Sequence, residues 1–397
     1  MSPRVFLLIT DAGGGHRATA SSLVEWARRD GKGWNLRIVN LYREMLRDEE
    51  PFKHALGFYG EDAYNLILKR QIRRPVSILQ RIAAMAAHIP HKGAIKAAAD
   101  FLHREKPDLS VSLMPFVNDY CAVIHAGAGV PFGLVCTDLV DIQPRMWFTR
   151  QAMTSSTFVC VGSPEAVRQA REAGAGARVF ETGLIVHPRF FDDELRGLGL
   201  EEARRRLDLD PTLFTVAILM GGYGGSAIRN IVQQLENLGG RCQVIACCGH
   251  NDALCHELQA ARLTFRNTVL PLGFTTEIPT IMRAADLLIT KPGTTTVMEA
   301  LSLGVPLVLD DVNTMPQERP NAVWAEAEGM ALRVRRRGEV LEVVRRLRSD
   351  PELGAAMRRR QRERAARPAG PRVLDAMEAC LARGRDDLAP AGGAGAG

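Results

Sequence analysis

One pattern occurs three times in this sequence and limits the folds that the chain can adopt. An apolar run of strand length ends in a glycine-containing turn, a segment of helical spacing follows, and a further apolar run comes after it. The runs that open the three units are 5–10, 214–220 and 285–290. Strands that alternate with helices in this way form parallel sheets with helices on both faces. The sequence therefore predicts an α/β fold with Rossmann-like, doubly wound domains.

The chain is long enough for more than one such domain. Its 397 residues are 46% hydrophobic and 24% charged, which is ordinary globular composition. Glycine and proline punctuate residues 183–200. We therefore expect an N-terminal domain at 1–190 and a C-terminal domain at 191–383 that includes the terminal helices. Residues 384–397, rich in glycine, alanine and proline, are expected to form a disordered tail.

Cysteine usage and hydropathy indicate where the protein works. The eight cysteines form no C-x-x-C pair and no secretory signal precedes the first strand, so we interpret them as reduced core residues of a cytosolic protein. Residues 120–137 lack Asp, Glu, Lys and Arg, but their glycines and proline favour a buried helix, a turn and a strand over a membrane span. Any membrane contact is therefore expected to be peripheral.

The net charge of +6 is unevenly distributed. Residues 66–99 contain no acid, and apolar residues interleave with their lysines and arginines. A basic amphipathic stretch of this kind can bind an anionic membrane surface, here the inner face of the cell membrane. The alternative is a pair of surface helices with solvated arginine faces. Nucleic acid is not an expected partner, because interleaved aromatic residues and a recognised binding motif are missing.

The turn after the run 285–290 has the chemistry of a phosphate site. Gly293 is followed by Thr294 and Thr295 at the start of a helical segment. Backbone N–H groups, hydroxyls and the positive end of a helix converge there. The alternative is structural: Thr296 and Glu299 fit a capping box, in which the glutamate only satisfies backbone donors.

A second glycine turn, at 221–225, follows the run 214–220. Its glycines include Gly222, Gly224 and Gly225, which would bring backbone N–H groups onto a diphosphate or a sugar. The alternative is a tight turn, but one glycine would suffice for that. The G-K-[ST] ending of a Walker A motif is missing. The N-terminal turn also lacks the G-x-G-x-x-G pattern of dinucleotide folds, so NAD binding is disfavoured.

His16 is the candidate general base. It follows Gly14 and Gly15, which let another molecule approach the backbone, and it opens a helix whose positive end should keep the imidazole neutral. A surface or capping histidine is the alternative. Asp138 ends a predicted strand and Asp119 lies just beyond another. Either could orient His16, and either could instead be a helix cap or turn residue.

Two sheets whose glycine turns face each other across a cleft are the arrangement of a nucleotide-sugar transferase. The only D-x-D, residues 208–210, stands before a strand and next to proline, so we interpret it as a turn. Charge on a leaving diphosphate would then be met by helix ends and backbone groups. No obligatory metal and no cofactor besides the UDP-sugar donor is expected.

Taken in order, these motifs resemble the monogalactosyldiacylglycerol synthase and processive diacylglycerol glucosyltransferase group, which belongs to glycosyltransferase family 28 and has the GT-B fold of two Rossmann-like domains. The resemblance covers about residues 5–329. Its marks are residues 13–17, 137–138, 183–188, 221–225, 273–274, 290–294, 299–301, 304–306, Gln317, Glu318 and Asn321.

The resemblance implies roles for individual residues. His16 would be the base in the N-terminal, acceptor-binding domain. From the residues themselves, Asp138 is a further catalytic candidate, and Gly14 and Gly15 are candidates for contact with the acceptor. The C-terminal, UDP-sugar-binding domain would hold the donor through Gly222, Gly224, Gly225, Phe274 (uracil), Gly293, Thr294 and Thr295 (diphosphate), Glu299 (ribose), and Gln317, Glu318 and Asn321 (sugar or phosphates).

The implied function is inverting transfer of a hexose from a UDP-sugar to a lipid hydroxyl, with diacylglycerol as the expected acceptor and a glycolipid as the product. The choice between galactose and glucose stays open, because it depends on the geometry of one hydroxyl. Two alternatives also stay open. One is a UDP-sugar epimerase on the same fold, and the other is a non-enzymatic lipid-surface protein that keeps the nucleotide fold.

Overall fold

The computed structural model describes residues 2–12, 14–69, 92–142, 146–222, 226–312, 314–315, 317–365 and 367–383. These residues form two six-stranded sheets, and every strand pair in both sheets is parallel. The predicted α/β class is therefore confirmed.

The strands are β1 (Arg4–Ile9), β2 (Asn35–Asn40), β3 (Leu109–Ser112), β4 (Phe132–Val135), β5 (Phe158–Val161), β6 (Val179–Glu181), β7 (Thr215–Leu219), β8 (Gln243–Gly249), β9 (Thr268–Gly273), β10 (Leu287–Thr290), β11 (Leu307–Asp310) and β12 (Ala331–Val334).

The α-helices of the described residues are α1 (Gly15–Arg29), α2 (Pro51–Leu56), α3 (Gly60–Lys69), α4 (Lys92–Glu105), α5 (Asn118–Gly127), α6 (Arg150–Ser155), α7 (Pro164–Glu172), α8 (Asp193–Gly197), α9 (Leu200–Arg205), α10 (Ser226–Leu235), α11 (Asp252–Ala261), α12 (Ile278–Ala284), α13 (Thr294–Leu303), α14 (Arg319–Ala327), α15 (Glu339–Ser349), α16 (Pro351–Arg364) and α17 (Ala369–Ala382). Short 3-10 or π-helical turns lie at Leu41–Leu46, Arg47–Glu49, Gly176–Arg178 and Pro188–Phe191.

The first sheet has the strand order β2-β1-β3-β4-β5-β6, and its central strands are buried along their whole length. Helices on both faces cover the strands of a parallel sheet, which is why these strands appear in the sequence as continuous apolar runs. The core on one face includes Phe6, Phe101 and Phe132.

The second sheet has the order β12-β11-β10-β7-β8-β9. This is the doubly wound order of the Rossmann fold: the chain builds outwards from β7 to β9 and then returns to β10 on the other side. Its core joins the inner strands to residues of α10, α11 and α15, among them Ile228, Leu258 and Val344.

The chain divides into two compact units, and their limits differ in one respect from the predicted domains. The first unit comprises residues 1–187 and 368–397, and the second comprises 188–367. The last helix, α17, was expected in the C-terminal domain but belongs to the first unit. Its Gly370 lies against Trp26 of α1, and its Arg372 donates to the Thr182 carbonyl oxygen at 3.1 Å.

Several other expectations can be checked in the described residues. All eight cysteines are buried free thiols, as predicted. No helix in these residues is both long and apolar enough to cross a membrane. Most of the basic stretch 66–99 and the proposed tail 384–397 lie outside the described residues, so the structure does not address them.

Candidate active site

The turn that carries His16 lies at the switch point of the first sheet. The chain leaves β1 for β2 on one side and reaches β3 on the other, so the carboxyl ends of β1 and β3 are adjacent and their loops diverge. Ligands of open α/β sheets bind outside the carboxyl ends of the strands at such a point. The loop after β1 contains Asp11 and Gly14, and the residue after β3 is Leu113.

The ring of His16 is neutral and partly accessible. Gly14, with φ of 83°, provides the N-cap of α1, and no atom lies within 4 Å of a Cβ placed at Gly14 or Gly15. Burial lowers the pKa of His16 to about 4, while the Leu113 backbone acts in the opposite direction. The imidazole is therefore uncharged at neutral pH, as expected, although burial is the cause found here.

Both predicted carboxylates accept hydrogen bonds from groups other than this ring. The Nδ1 atom of His16 is fully covered and has no hydrogen-bond partner among the described residues. Asp138 accepts a hydrogen bond from the indole Nε1 of Trp147 at 2.7 Å. Asp119 accepts from Thr149 and from the backbone N–H of Ala152 in the first turn of α6, which is the helix-cap alternative considered above.

A buried carboxylate holds the loop that leads to His16. Glu61 of α3 is 3% exposed and accepts from the Thr10 hydroxyl (2.8 Å) and the Asp11 backbone N–H (2.9 Å). Its other oxygen accepts from Arg43 Nε at 2.5 Å, and Asn40 contacts both oxygens. Thr10 and Asp11, at the start of the glycine turn, are therefore bonded to α3, which lies about 50 residues further along the chain.

The second unit also has its glycine turns at a switch point. The chain leaves β7 for β8 and returns at β10, so the turns that follow β7 and β10 are neighbours. A Cβ at Gly221 would lie 3.2 Å from Cε of Lys291. Gly222, which is exposed, ends the described part of its turn, and Gly224 and Gly225 lie outside the described residues.

The start of α13 is an uncapped helix end. The helix begins at Thr294, its N-cap is Gly293, and no side chain caps it. The bond from the Val297 N–H to the Gly293 carbonyl (3.1 Å) is the first of the helix. The N–H groups of Thr294 and Thr295, which precede Val297, therefore have no intrahelical acceptor. The capping-box alternative is wrong, because Thr296 lies inside the helix and not at its N-cap.

Polar residues around the following loop support this turn. The amide of Asn321 is buried and donates to the Pro292 carbonyl (2.8 Å) and to the Thr294 hydroxyl (3.1 Å). Glu318 forms an ion pair with Lys291. Gln317 is partly buried beside Met315. Asn321 therefore holds the turn at 291–294 in shape, and the Glu318 carboxylate pairs with Lys291 of that turn.

Two further groups lie at this edge of the second sheet. Phe274 is 65% exposed and stacks on His250, with ring centroids 4.4 Å apart and planes 11° from parallel. The outer face of its ring is therefore open to a planar base. Within α13, burial raises the pKa of Glu299 to about 7, and the nearby Arg189 guanidinium acts in the opposite direction.

A sequence profile described as "Glycosyltransferase family 28 C-terminal domain" matches residues 215–367, which begin at β7 and end where the second unit ends. A "Monogalactosyldiacylglycerol synthase, chloroplastic" from Spinacia oleracea is 27% identical over 363 residues, covering 86% of this chain and 65% of that protein. The second unit of the chain therefore matches the C-terminal domain of glycosyltransferase family 28.

A bacterial relative has a similar length. A "Processive diacylglycerol beta-glucosyltransferase" from Bacillus subtilis is 26% identical over 357 residues, which cover 88% of each chain. The chain therefore spans most of this bacterial relative but less than two thirds of the spinach one.

Solved structures confirm the GT-B fold. The crystal structure of MurG from Acinetobacter baumannii superposes with a TM-score of 0.62 at 16% identity, covering 95% of this chain and 99% of that one. The crystal structure of UDP-GlcNAc 2-epimerase from Neisseria meningitidis gives a TM-score of 0.54 at 15% identity, covering 95% of this chain and 100% of that one. At these identities the likeness establishes the fold alone.

Three residues of these sites were not assigned roles from the sequence. Lys291 directly follows the buried strand β10, and this position in the sequence could have indicated a role for it in the turn. Arg189 near Glu299 and Glu61 beneath the His16 loop have no local signal, because each reaches its site only through the tertiary fold. The described residues contain no group of three or more His, Cys, Asp and Glu side chains that could hold a metal ion.

Proposed function

We propose that this chain transfers a hexose, galactose or glucose, from a UDP-sugar to a lipid hydroxyl, with diacylglycerol as the acceptor. The observation that carries the proposal is the neutral imidazole of His16, with its Nδ1 covered, at the switch point of a nucleotide-type sheet. The names of the spinach and Bacillus relatives supply the acceptor class and the sugar donor chemistry.

In the proposed reaction, His16 acts as general base through Nε2, since Nδ1 is covered by protein. It removes the proton from the lipid hydroxyl as that oxygen attacks C1 of the hexose. The bond from C1 to the diphosphate breaks on the opposite side, so the anomeric configuration inverts and UDP leaves. Gly14 and Gly15 leave space for the acceptor beside this ring. Asp138 is proposed only as a further polar group at the same sheet edge.

The second unit would bind the donor at the turns after β7 and β10. The diphosphate would accept hydrogen bonds from the first turn of α13, with Gly293, Thr294 and Thr295, and Lys291 would add a positive charge. The glycines 222, 224 and 225 would line the donor from the neighbouring turn.

The nucleoside and the sugar would use the remaining groups of this edge. Phe274 would stack on the uracil and Glu299 would accept from the ribose hydroxyls. Glu318 and Gln317 would face the sugar, while Asn321 would maintain the turn. No metal is assigned a step in this proposal.

The central test is turnover with radiolabelled UDP-galactose and UDP-glucose on diacylglycerol vesicles, with the anomeric configuration of the product determined. A general base contributes about 10²–10⁴ in rate, so His16→Ala should lower kcat by that factor and leave UDP affinity nearly unchanged. His103→Ala, an exposed histidine of α4 in the same unit, is the matched control. Near-normal turnover in His16→Ala would remove His16 from the mechanism.

The same assay distinguishes sugar transfer from the epimerase alternative. That alternative is tested because a UDP-GlcNAc 2-epimerase has the same fold as this chain. Incubation with UDP-sugar and no acceptor should return the donor unchanged. Appearance of an isomeric UDP-sugar would favour epimerisation instead. Vesicle binding without UDP release under any acceptor would favour a non-enzymatic lipid-surface protein.

We also propose that the protein acts at the cytosolic face of the membrane through residues 66–99. This proposal depends on the sequence, since Arg70, Arg73 and Arg74 lie outside the described residues. Charge reversal at these three positions should weaken binding to anionic vesicles in a co-sedimentation assay. Reversal of Arg168, which lies outside this stretch and forms ion pairs with Glu165 and Glu172 on α7, is the control. Unchanged binding of the triple variant would contradict the proposed membrane surface.

A further inference from the structure

An arginine-lined pocket lies in the second unit, at the sheet edge opposite to the glycine turns. Its volume is about 220 Å³, and its walls include Ala285 and Val305, which precede β10 and β11. The glycine turn with Lys291 follows the carboxyl end of β10. One strand of four residues, roughly 13 Å, separates the two edges, so the pocket is distinct from the proposed donor site.

The pocket has an excess of positive charge. Arg283, Arg358 and Arg362 line it, and no Asp or Glu is among its lining residues. The carboxylate of Asp286, which follows the lining residue Ala285, accepts from Arg204 Nη2 (2.5 Å) and from the Thr215 backbone N–H (2.7 Å). Burial lowers the pKa of Arg283 and of Arg358, and neighbouring arginines act in the same direction in both. The Asp286 carboxylate opposes this shift in Arg358.

Contacts with the protein explain only part of this arrangement. Arg358 donates to the carbonyl oxygens of Gly304 and Asp286, both at 3.2 Å, and Arg283 Nε donates to the Leu198 carbonyl at 3.0 Å. These bonds fix two of the guanidinium groups at helix and strand ends. Arg362 is exposed and has neither an ion pair nor a hydrogen bond to any described residue. Three like charges are therefore held around a shared space that is lined, among the described residues, by no carboxylate.

We propose that this pocket binds a phosphate-bearing anion. Guanidinium groups present paired N–H donors that match phosphate oxygens, and they keep their charge in partly buried sites. The volume admits a phosphomonoester or a diphosphate group. Such a ligand could be a soluble phosphate compound or the headgroup of an anionic lipid, because both offer the same oxygens to the three arginines.

The test compares two charge reversals on the same helix. Arg362→Glu changes a pocket wall without removing any hydrogen bond of the described protein, and Arg359→Glu changes an exposed neighbour outside the pocket. Pyrophosphate is titrated into the full-length protein by calorimetry with saturating UDP present, and co-sedimentation is measured with phosphatidylcholine vesicles that contain phosphatidic acid. Circular dichroism checks that both variants are folded.

We expect Arg362→Glu to weaken at least one of these probes by about tenfold or more, because it removes a charge-assisted contact, and Arg359→Glu to change neither by more than about twofold. An effect on pyrophosphate alone assigns a soluble ligand, and an effect on vesicles alone assigns a lipid headgroup. Equal behaviour of the two variants with both probes would overturn the proposal. The readout is the difference between variants, so it does not depend on the proposed transfer reaction.

Discussion

Two titratable side chains have pKa values displaced by burial in opposite directions. The pKa of His16 falls to about 4 and that of Glu299 rises to about 7. Both displacements favour the uncharged form, which is the expected effect of a low-dielectric environment. A neutral imidazole can accept a proton, whereas a glutamate with a pKa near 7 exchanges between donor and acceptor at physiological pH. Ribose hydroxyls that donate to Glu299 would favour its ionised form.

The pKa of Glu299 predicts a pH-dependent stability. Its folded-state value of about 7 lies above its ordinary value of 4.5, so folding favours the protonated form. This contribution is fully present below pH 4.5 and is lost as the pH rises through 7. Glu299→Gln removes the buried charge, so we expect it to be more stable than the wild type at pH 8, by roughly 3 kcal/mol at most, and similar near pH 4.5.

Urea unfolding of the wild type, Glu299→Gln and Glu328→Gln between pH 4.5 and 8 measures this effect. Glu328, an exposed residue just beyond the end of α14, is the matched control and should follow the wild type. Parallel stability curves for the wild type and Glu299→Gln would show that Glu299 is not the group responsible.

Among the secondary-structure elements, α3 connects the chain after β2 to the turn that presents His16. Glu61 of this helix accepts from Thr10 and Asp11, and Asn65 donates to the Asp11 carbonyl at 2.9 Å. The turn itself contains glycines with no atoms near their Cβ positions, so it has few other contacts. The position of the imidazole therefore depends on a helix that is remote in sequence.

We predict that Glu61→Gln, which keeps the side-chain shape, lowers kcat about tenfold and leaves the KM for UDP-sugar unchanged. The amide has one acceptor oxygen in place of two, so a buried bond to Thr10, Asp11 or Arg43 is lost, at a cost of about 1–3 kcal/mol. Steady-state kinetics on diacylglycerol vesicles measures both constants. A rise in donor KM, or an unchanged kcat, would contradict a positioning role.

Asp62→Asn is the control for Glu61→Gln. Asp62 forms an ion pair with the same Arg43 but is more than half exposed and has no bond to the His16 loop in the described residues. An exposed pair of this kind contributes little, so kcat should change less than about twofold. Equal losses in both variants would assign the effect to Arg43 and not to the loop.

The elements could be predicted from the sequence wherever one local pattern decides the structure. β7, β10 and α13 follow from buried apolar runs and a helix start after Gly293, since strands covered on both faces contain no polar alternation. The role of Glu61 could not be predicted, because an acidic residue in the first turn of a helix is ordinary there. Only the tertiary fold brings it beneath Thr10 and Asp11.

At the scale of the whole molecule, the chain returns to its first unit after residue 367. The sequence did not predict this return. The profile match and the second unit both end at residue 367, and α17 then packs on α1. Lys32 forms an ion pair with Glu378, and Trp26 lies against Gly370. The apolar face of a terminal amphipathic helix could pack on either unit, and the hydrophobic pattern does not specify which. Only the fit of its side chains decides the unit that it joins.

This packing predicts that Gly370→Ala destabilises the protein through its first unit. A Cβ at Gly370 would lie 2.1 Å from Cδ1 of Trp26, and Trp26 is held by the bond from its Nε1 to the Val186 carbonyl oxygen at 2.9 Å. The ring cannot move without losing that bond, so we expect a loss of about 1–3 kcal/mol despite the better helix propensity of alanine.

Gly354→Ala in α16 is the matched control for Gly370→Ala, because its Cβ would meet only Pro306 Cγ at 4.0 Å. There the gain in helix propensity should act alone and raise stability by up to about 1 kcal/mol. Urea unfolding gives the two differences, and hydrogen exchange locates them. Faster exchange in β1 and α1 of Gly370→Ala, with β7 and β10 unaffected, is expected. Loss of protection in β7 and β10 instead would mean that α17 stabilises the second unit.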